Sequence, residues 1–403
     1  MLNVREQVML SGFTTLGLGG PARRFVVAGA ERELIAEVRA ADRRGEPLLV
    51  LGGGSNLVIA DDGFPGTVVQ VATRGVRRVA ARGPDAVQLT VAAGEDWDGV
   101  VASCVAADLA GFECLSGIPG LAGATPIQNV GAYGQEVAET VTGVRVYDRA
   151  RDQVADMAPG ECGFGYRTSS FKRDRGGRFV VLGVSFELTA GGLSGPVRYA
   201  ELAGALGVAE GDRVPLAELR AAVLGLRRGK GMVVDPADPD SRSAGSFFTN
   251  PVLDTAQFAA LRRVVDSRSG PQTRIPQFPA APGRVKVPAA WLIGQAGFYK
   301  GYLGNGIRTS ARADDAPAGD APAGAGAAGP PAAGAAGGAG ADTTPAAETA
   351  RARISAKHTL ALVNSGGAST ADVVRLAREI RDRVRDIFGV ELTPEPVLVG
   401  VSL

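Results

Sequence analysis

Apolar residues recur at helical spacing over Glu31 to Arg44, where Leu34, Ile35, Val38 and Ala41 share one face and Gly45 followed by Pro47 supplies a stop. The pattern then changes. Leu48 to Leu51 is a short continuous apolar run, and it feeds straight into GGGSNLVIADDGFPGTVVQV, which predicts strand, glycine turn, strand and loop. β-branched runs at Val68 to Val71, Val87 to Val91, Val144 to Tyr147 and Val180 to Leu188 predict further strands. Helical spacing returns over Phe258 to Arg268 and over Ala371 to Phe388, where Val373, Val374, Leu376, Ile380, Val384 and Ile387 make one stripe. Ser369 with Asp372 resembles a capping box and Gly389 a C-terminal stop. Arg375, Arg378, Arg381, Arg383 and Arg385 of that helix stand among acids and predict a solvated face. Strands and helices in this order make the chain α+β.

One stretch obeys neither period. From residue 316 to 341, twenty-five of twenty-six residues are Ala, Gly or Pro, the exception being Asp320. Side chains this small cannot offset the cost of ordering the backbone, so about 312 to 350 is expected to be a disordered insertion between ordered flanks. The length of 403 residues predicts two or three domains at roughly 100 to 200 residues each.

Composition removes several chemistries. The 43 basic and 42 acidic side chains leave a net charge of +1, which argues against a nucleic-acid partner. No stretch approaches the roughly 20 apolar residues that span a bilayer, and the opening MLNVREQVML lacks a signal-peptide pattern, so a cytoplasmic location is expected. With His358 the single histidine, a three-histidine zinc site is impossible, and no metal is expected. Cys104, Cys114 and Cys162 lack CxxC spacing and read as buried, inert thiols. Redox chemistry would have to reside in an organic cofactor.

Two glycine-dense segments offer a place for one. Gly52, Gly53, Gly54, Ser55 and Asn56 follow a strand, so their N–H groups can converge on an anion; neither GxGxxG nor a P-loop fits, and a glycine-rich hairpin is the competing reading. The second, SGIPGLAGATPIQNVGAYGQE, spans Ser116 to Glu136 and adds Thr125, Gln128, Asn129 and Tyr133 as directional hydrogen-bonding groups. Two such loops suit a dinucleotide, one on the pyrophosphate and the other along the ring system.

These segments stand in a longer ordered series: TLGLGGPA, LGGGSNLV, SGIPGLAGATPIQNVGAYGQE, YRTSSFK, RRGKGMVVDP, AGSFFTNP, WLIGQAGF and LTPEP. From about Thr14 to Leu403 the chain resembles the UDP-N-acetylenolpyruvoylglucosamine reductases. The resemblance implies an FAD-binding fold of the vanillyl-alcohol-oxidase (PCMH) type, with subdomains at 1–75 and 76–195 and a C-terminal α+β substrate domain at 196–403. It implies non-covalent FAD, NADPH as reductant, and reduction of UDP-N-acetylglucosamine enolpyruvate to UDP-N-acetylmuramate for peptidoglycan synthesis. A monomer is expected.

Hydride addition to an enol ether leaves negative charge that must be stabilised and then protonated. The resemblance assigns Arg167 to the substrate carboxylate, Ser246 to proton donation and Glu395 to holding the carboxyl group or sharing the proton; burial would raise the pKa of Glu395. Flavin contacts fall on Gly52, Gly53, Gly54, Ser55, Asn56 and Leu57 in the first loop. In the second they fall on Ser116, Pro119, Gly120, Gly123, Thr125 and Gln128, then Asn129, Gly131, Ala132 and Tyr133. Substrate contacts fall on Tyr166, Tyr199, Lys230, Asn250 and Gln295, with Arg227 or Arg228 able to replace Lys230. Two other readings stay open: an oxidase of the same fold, and a nucleotide-sugar binder without turnover.

Overall fold

The computed structural model describes residues 4–403 apart from 81, 82, 84, 175, 279 and 305–350. The alanine-glycine-proline insertion expected at 312–350 lies outside the described residues.

Alternation at period two builds the first sheet. In Phe64–Val71, Val68 faces a core of Leu10, Phe25, Leu51 and Ile59, whereas Val69 and Val71 face the other way, toward Leu34 and Val38 of helix Glu31–Arg43. The strand order is Val4–Met9, Pro21–Ala28, Phe64–Val71, Leu48–Leu51; the first pair is antiparallel and the others parallel. Helix Glu31–Arg43 makes the crossover that parallel strands require. The glycine turn after Leu51 does not make a hairpin. Its exit strand, Leu57–Ile59, pairs in parallel with Val397–Val399 at the far end of the chain.

The second sheet is antiparallel, in the order Gln153–Met157, Val141–Asp148, Phe179–Ala190, Ala86–Ala92, Val76–Ala80. Trp97, Phe112 and Phe186 pack at centroid separations of 5.1 to 5.8 Å in its core, which also receives Leu34 and Val38 and so joins the two sheets. Helices Ala200–Leu206 and Leu216–Gly229 form a smaller apolar cluster with Cys114, against which Tyr133 and Tyr199 pack.

A third core lies between the sheet Ser243–Ser246, Ala361–Asn364, Ala352–Ile354 and the helices Thr255–Ser269, Ala289–Gln295 and Thr370–Phe388. The last helix has the expected ends: Ser369 Oγ accepts from Asp372 N, and Gly389 closes it at φ 66°. Its stripe is buried except for Ile387, which is half-buried. All three cysteines are buried and unpaired, and burial pushes their thiols up to about 11 (Cys104), 12 (Cys114) and 11 (Cys162).

Candidate active site

The two glycine loops, some sixty residues apart in sequence, touch. A Cβ on Gly53 would stand 2.7 Å from Gly120 Cα, so only glycine allows the approach. Ser55 Oγ donates to Pro119 O at 3.0 Å and Asn56 Nδ2 to Gln128 Oε1 at 2.6 Å, fastening one loop to the other. Gly54 sits at φ 63° with its α-carbon against the Phe13 carbonyl. Among the described residues, the N–H groups of Gly53, Gly54, Ser55 and Asn56 meet no protein acceptor. Leu57 then begins the strand that ends the loop.

Inside the second loop the polar side chains serve its own shape. Ser116 Oγ donates to Glu113 O and Thr125 Oγ1 to Ala122 O. Asn129, at φ 47°, donates to Glu136 Oε2 and Gly165 O and accepts from Ala138 N. Gly123 packs on Ala93, and Gly131–Ala132 pairs with Gln135–Glu136 around Tyr133. A smooth wall with unclaimed N–H donors fits a planar cofactor carrying a diphosphate, which is the shape and charge of FAD.

Arg167 stands beside this wall. It adopts φ 51°, uncommon for a non-glycine residue, and its Nη2 donates to Gly131 O at 2.7 Å. Its Nε lies 3.2 Å from Glu395 Oε1. The Glu395 N–H donates to Phe247 O at 2.9 Å, and Phe248 bridges Pro394, so the LTPEP segment runs alongside the residues that follow Ser246. Ser246 ends strand Ser243–Ser246 one position before that contact. The three residues expected to react therefore come from three segments brought to one place. Burial pushes the Glu395 carboxyl up, against the pull of Arg167 and Lys172.

The expected substrate contacts form two groups. In one, Lys286 Nζ lies 4.3 Å from the Tyr166 ring centroid, Tyr166 is hydrogen-bonded to Asn250, and Asn250 Oδ1 accepts from Ala289 N at 2.9 Å. In the other, Tyr133 and Tyr199 meet edge-on at 5.6 Å, and Lys230 Nζ sits 5.9 Å from the Tyr133 centroid and 2.6 Å from Glu201 Oε2. Tyr133 thus belongs to this second group as well as to the loop. Burial pushes its phenol up to about 12. Gln295 ends helix Ala289–Gln295, half-buried, and among the described residues no hydrogen bond joins it to either group.

Three charged residues here, Lys172, Lys286 and Glu201, were not singled out by motif, and Arg227, offered in the sequence as a replacement for Lys230, joins them. Lys172 Nζ donates to Glu395 O at 3.2 Å, Lys286 covers Tyr166, Glu201 holds Lys230, and Arg227 is buried beside Gly117 with Nε unpartnered among the described residues. For the lysines a compositional signal exists: the chain has 43 basic residues but its lysines are few, and Lys172, Lys230 and Lys286 all lie here.

Residues 22–157 match the FAD binding domain, and residues 342–399 match the UDP-N-acetylenolpyruvoylglucosamine reductase C-terminal domain. The UDP-N-acetylenolpyruvoylglucosamine reductase of Thermobifida fusca is 52% identical over 399 residues, covering 99% of this chain and 98% of the relative. That of Salinispora arenicola is 53% identical over 395 residues, covering 98% and 95%. The crystal structure of the reductase MurB from Thermus caldophilus aligns with a TM-score of 0.58 at 24% identity over 99% of this chain and 100% of that one, which shows a shared fold. The expected FAD-binding fold with a C-terminal α+β domain is the observed one, and the chain belongs to the UDP-N-acetylenolpyruvoylglucosamine reductase family.

Proposed function

We propose that Arg167, Ser246 and Glu395 are the reacting groups of this FAD-dependent oxidoreductase, which reduces UDP-N-acetylglucosamine enolpyruvate with NADPH to UDP-N-acetylmuramate, a peptidoglycan precursor. The observation that carries the assignment is the Arg167–Glu395 ion pair, set against the glycine wall and one residue from the strand end bearing Ser246. FAD, when bound, supplies the electron pair from NADPH as a hydride to the terminal carbon of the enol ether.

The chain's own residues answer the charge that results. Addition at that carbon places negative charge on the neighbouring carbon and its carboxylate, and the planar guanidinium of Arg167 matches a planar enolate. The Ser246 hydroxyl gives its proton to that neighbouring carbon, completing the saturated product. Glu395, whose pKa burial raises against the pull of Arg167 and Lys172, orients the carboxyl group or shares the proton. Gly52 to Leu57, together with Ser116, Pro119, Gly120, Gly123, Thr125, Gln128, Asn129, Gly131 and Ala132, form the cofactor wall. Tyr166, Tyr199, Lys230, Asn250, Gln295 and Tyr133 take the sugar nucleotide, whose diphosphate suits the lysines.

No helix among the described residues is long and apolar enough to cross a membrane. The proposed setting is the cytoplasm, where NADPH and nucleotide sugars occur, and the proposed state is a monomer, since one chain supplies the whole site. The purified protein should be yellow, release free flavin on denaturation, and bleach with NADPH under anaerobic conditions. Ser246→Ala should still bleach, while reoxidation by the enolpyruvyl nucleotide slows by about two orders of magnitude or more. A variant reoxidised at the unaltered rate would remove Ser246 from the reaction.

A further inference from the structure

Glu395 lies where three parts of the chain meet, and its main chain is held from each. Its N–H donates to Phe247 O at 2.9 Å; its carbonyl accepts from Asn56 Nδ2 at 3.3 Å and from Lys172 Nζ at 3.2 Å. Phe247 follows the strand bearing Ser246, Asn56 belongs to the first glycine loop, and Lys172 sits on the short helix Ser170–Arg173. That helix is itself fixed. Ser169 Oγ accepts from Lys172 N, and Phe171 is buried in the core of the second sheet, edge-on to Phe179 at 6.0 Å.

The Glu395 carbonyl already has a neutral donor in Asn56, so geometry alone does not call for an ammonium. Nor is this a favourable place to leave one. Lys172 is partly withdrawn from water, which pulls its pKa down, and its hydrogen-bond acceptor is a peptide carbonyl and not a carboxylate. What a half-buried cation adds beyond a hydrogen bond that a neutral donor already makes is its charge.

We propose that Lys172 is a positioning residue for Glu395: it clamps the Glu395 peptide across the subdomains and, with Arg167, supplies the positive field at the Glu395 carboxyl. This rests on Glu395 being a reacting group. The titratable groups facing Glu395 are Arg167, Lys172 and the Tyr166 phenol, and those facing Lys172 are Glu395 and Arg167. A cation favours the carboxylate form, so removing Lys172 raises the pKa of Glu395, and any limb of the pH profile that Glu395 carries moves to higher pH.

The test uses holoenzyme reduced anaerobically with NADPH, then mixed with UDP-N-acetylglucosamine enolpyruvate across pH while flavin absorbance reports reoxidation. Glu395→Gln identifies the limb, which should vanish. In Lys172→Met the limb should move to higher pH and the reoxidation rate fall about ten- to a hundredfold, with a smaller change in KM. Lys172→Arg should restore the limb and most of the rate. Lys172→Gln, which keeps a donor and drops the charge, gives the same decision if the methionine variant does not fold. If the limb survives in Glu395→Gln, the role given to Glu395 falls, and this inference with it. If Glu395→Gln abolishes the limb but Lys172→Met and Lys172→Gln leave it at its wild-type pH, Glu395 keeps its role and Lys172 is structural only.

Discussion

Gly54 and Gly45 share nearly the same backbone angle, φ 63° and 61°, in very different surroundings. A Cβ on Gly45 meets nothing within 4 Å, whereas one on Gly54 runs into the carbonyl of Phe13. Gly45→Ala should therefore show only the left-handed penalty, about 1–2 kcal/mol by denaturant unfolding. Gly54→Ala should cost more and move the loop, so that the purified protein carries substoichiometric flavin. Equal losses and equal flavin content would mean that the close approach to Phe13 does not shape the wall. Glycine at this position was legible as a phosphate-type turn; its floor was not, because Phe13 lies some forty residues earlier. The same divide runs through the proposed reacting groups and the charged residues around them. Arg167, Ser246 and Glu395 sit in motifs specific enough to be carried over by resemblance. Lys172 and Lys286 are surface-type residues in any local reading, and only packing by distant segments withdraws them from water.

Among the elements, helix Thr370–Phe388 shows why some were readable. Its stripe, its cap at Ser369 and its stop at Gly389 are local, so periodicity and end signals find them without knowledge of the fold. Helix Trp97–Ala106 carries Val100, Val101, Cys104 and Val105, all buried, and has no polar face to make a period, so the same method passes over it. Helix Thr370–Phe388 also has a feature that no local pattern announces: Thr370 N and Ala371 N donate to the Asp61 carboxylate at 2.7 and 3.0 Å, tying the C-terminal domain to the first subdomain. Ser369→Ala removes one local acceptor and should cost about 1 kcal/mol. Asp61→Ala removes acceptors for two N–H groups and should cost about 1–3 kcal/mol. Urea unfolding of the two variants checks the order; a larger loss for Ser369→Ala would show that the bridge to Asp61 adds nothing to the cap.

On the scale of the whole molecule, the chain closes on itself. Val397–Val399 pairs in parallel with Leu57–Ile59, Val397 N donates to Asn56 O at 2.9 Å, and Ala60 N donates to Val399 O at 2.8 Å. Glu395 lies two residues before this strand, so its distance from the glycine wall is set by a pairing between segments some 340 residues apart. Such a contact leaves no trace in periodicity, which is why the motif LTPEP could be placed near the site while the means of placing it stayed hidden. The tether can be cut without disturbing a core, because Val397 is 43% exposed. Val397→Pro deletes the donated N–H, whereas Val397→Ala keeps it. The lost bond should lower stability by about 0.5–1.5 kcal/mol relative to the alanine variant. Because it also loosens Glu395 relative to Asn56, reoxidation of the reduced enzyme by the enolpyruvyl nucleotide should slow about tenfold more than in the alanine variant. Hydride transfer from NADPH to flavin calls for no proton from Glu395 and should run alike in both, so stopped-flow records of the two half-reactions separate a displaced carboxyl from a general loss of structure. Equal reoxidation rates in the proline and alanine variants would place the control of Glu395 elsewhere, in its bonds to Phe247 and Lys172.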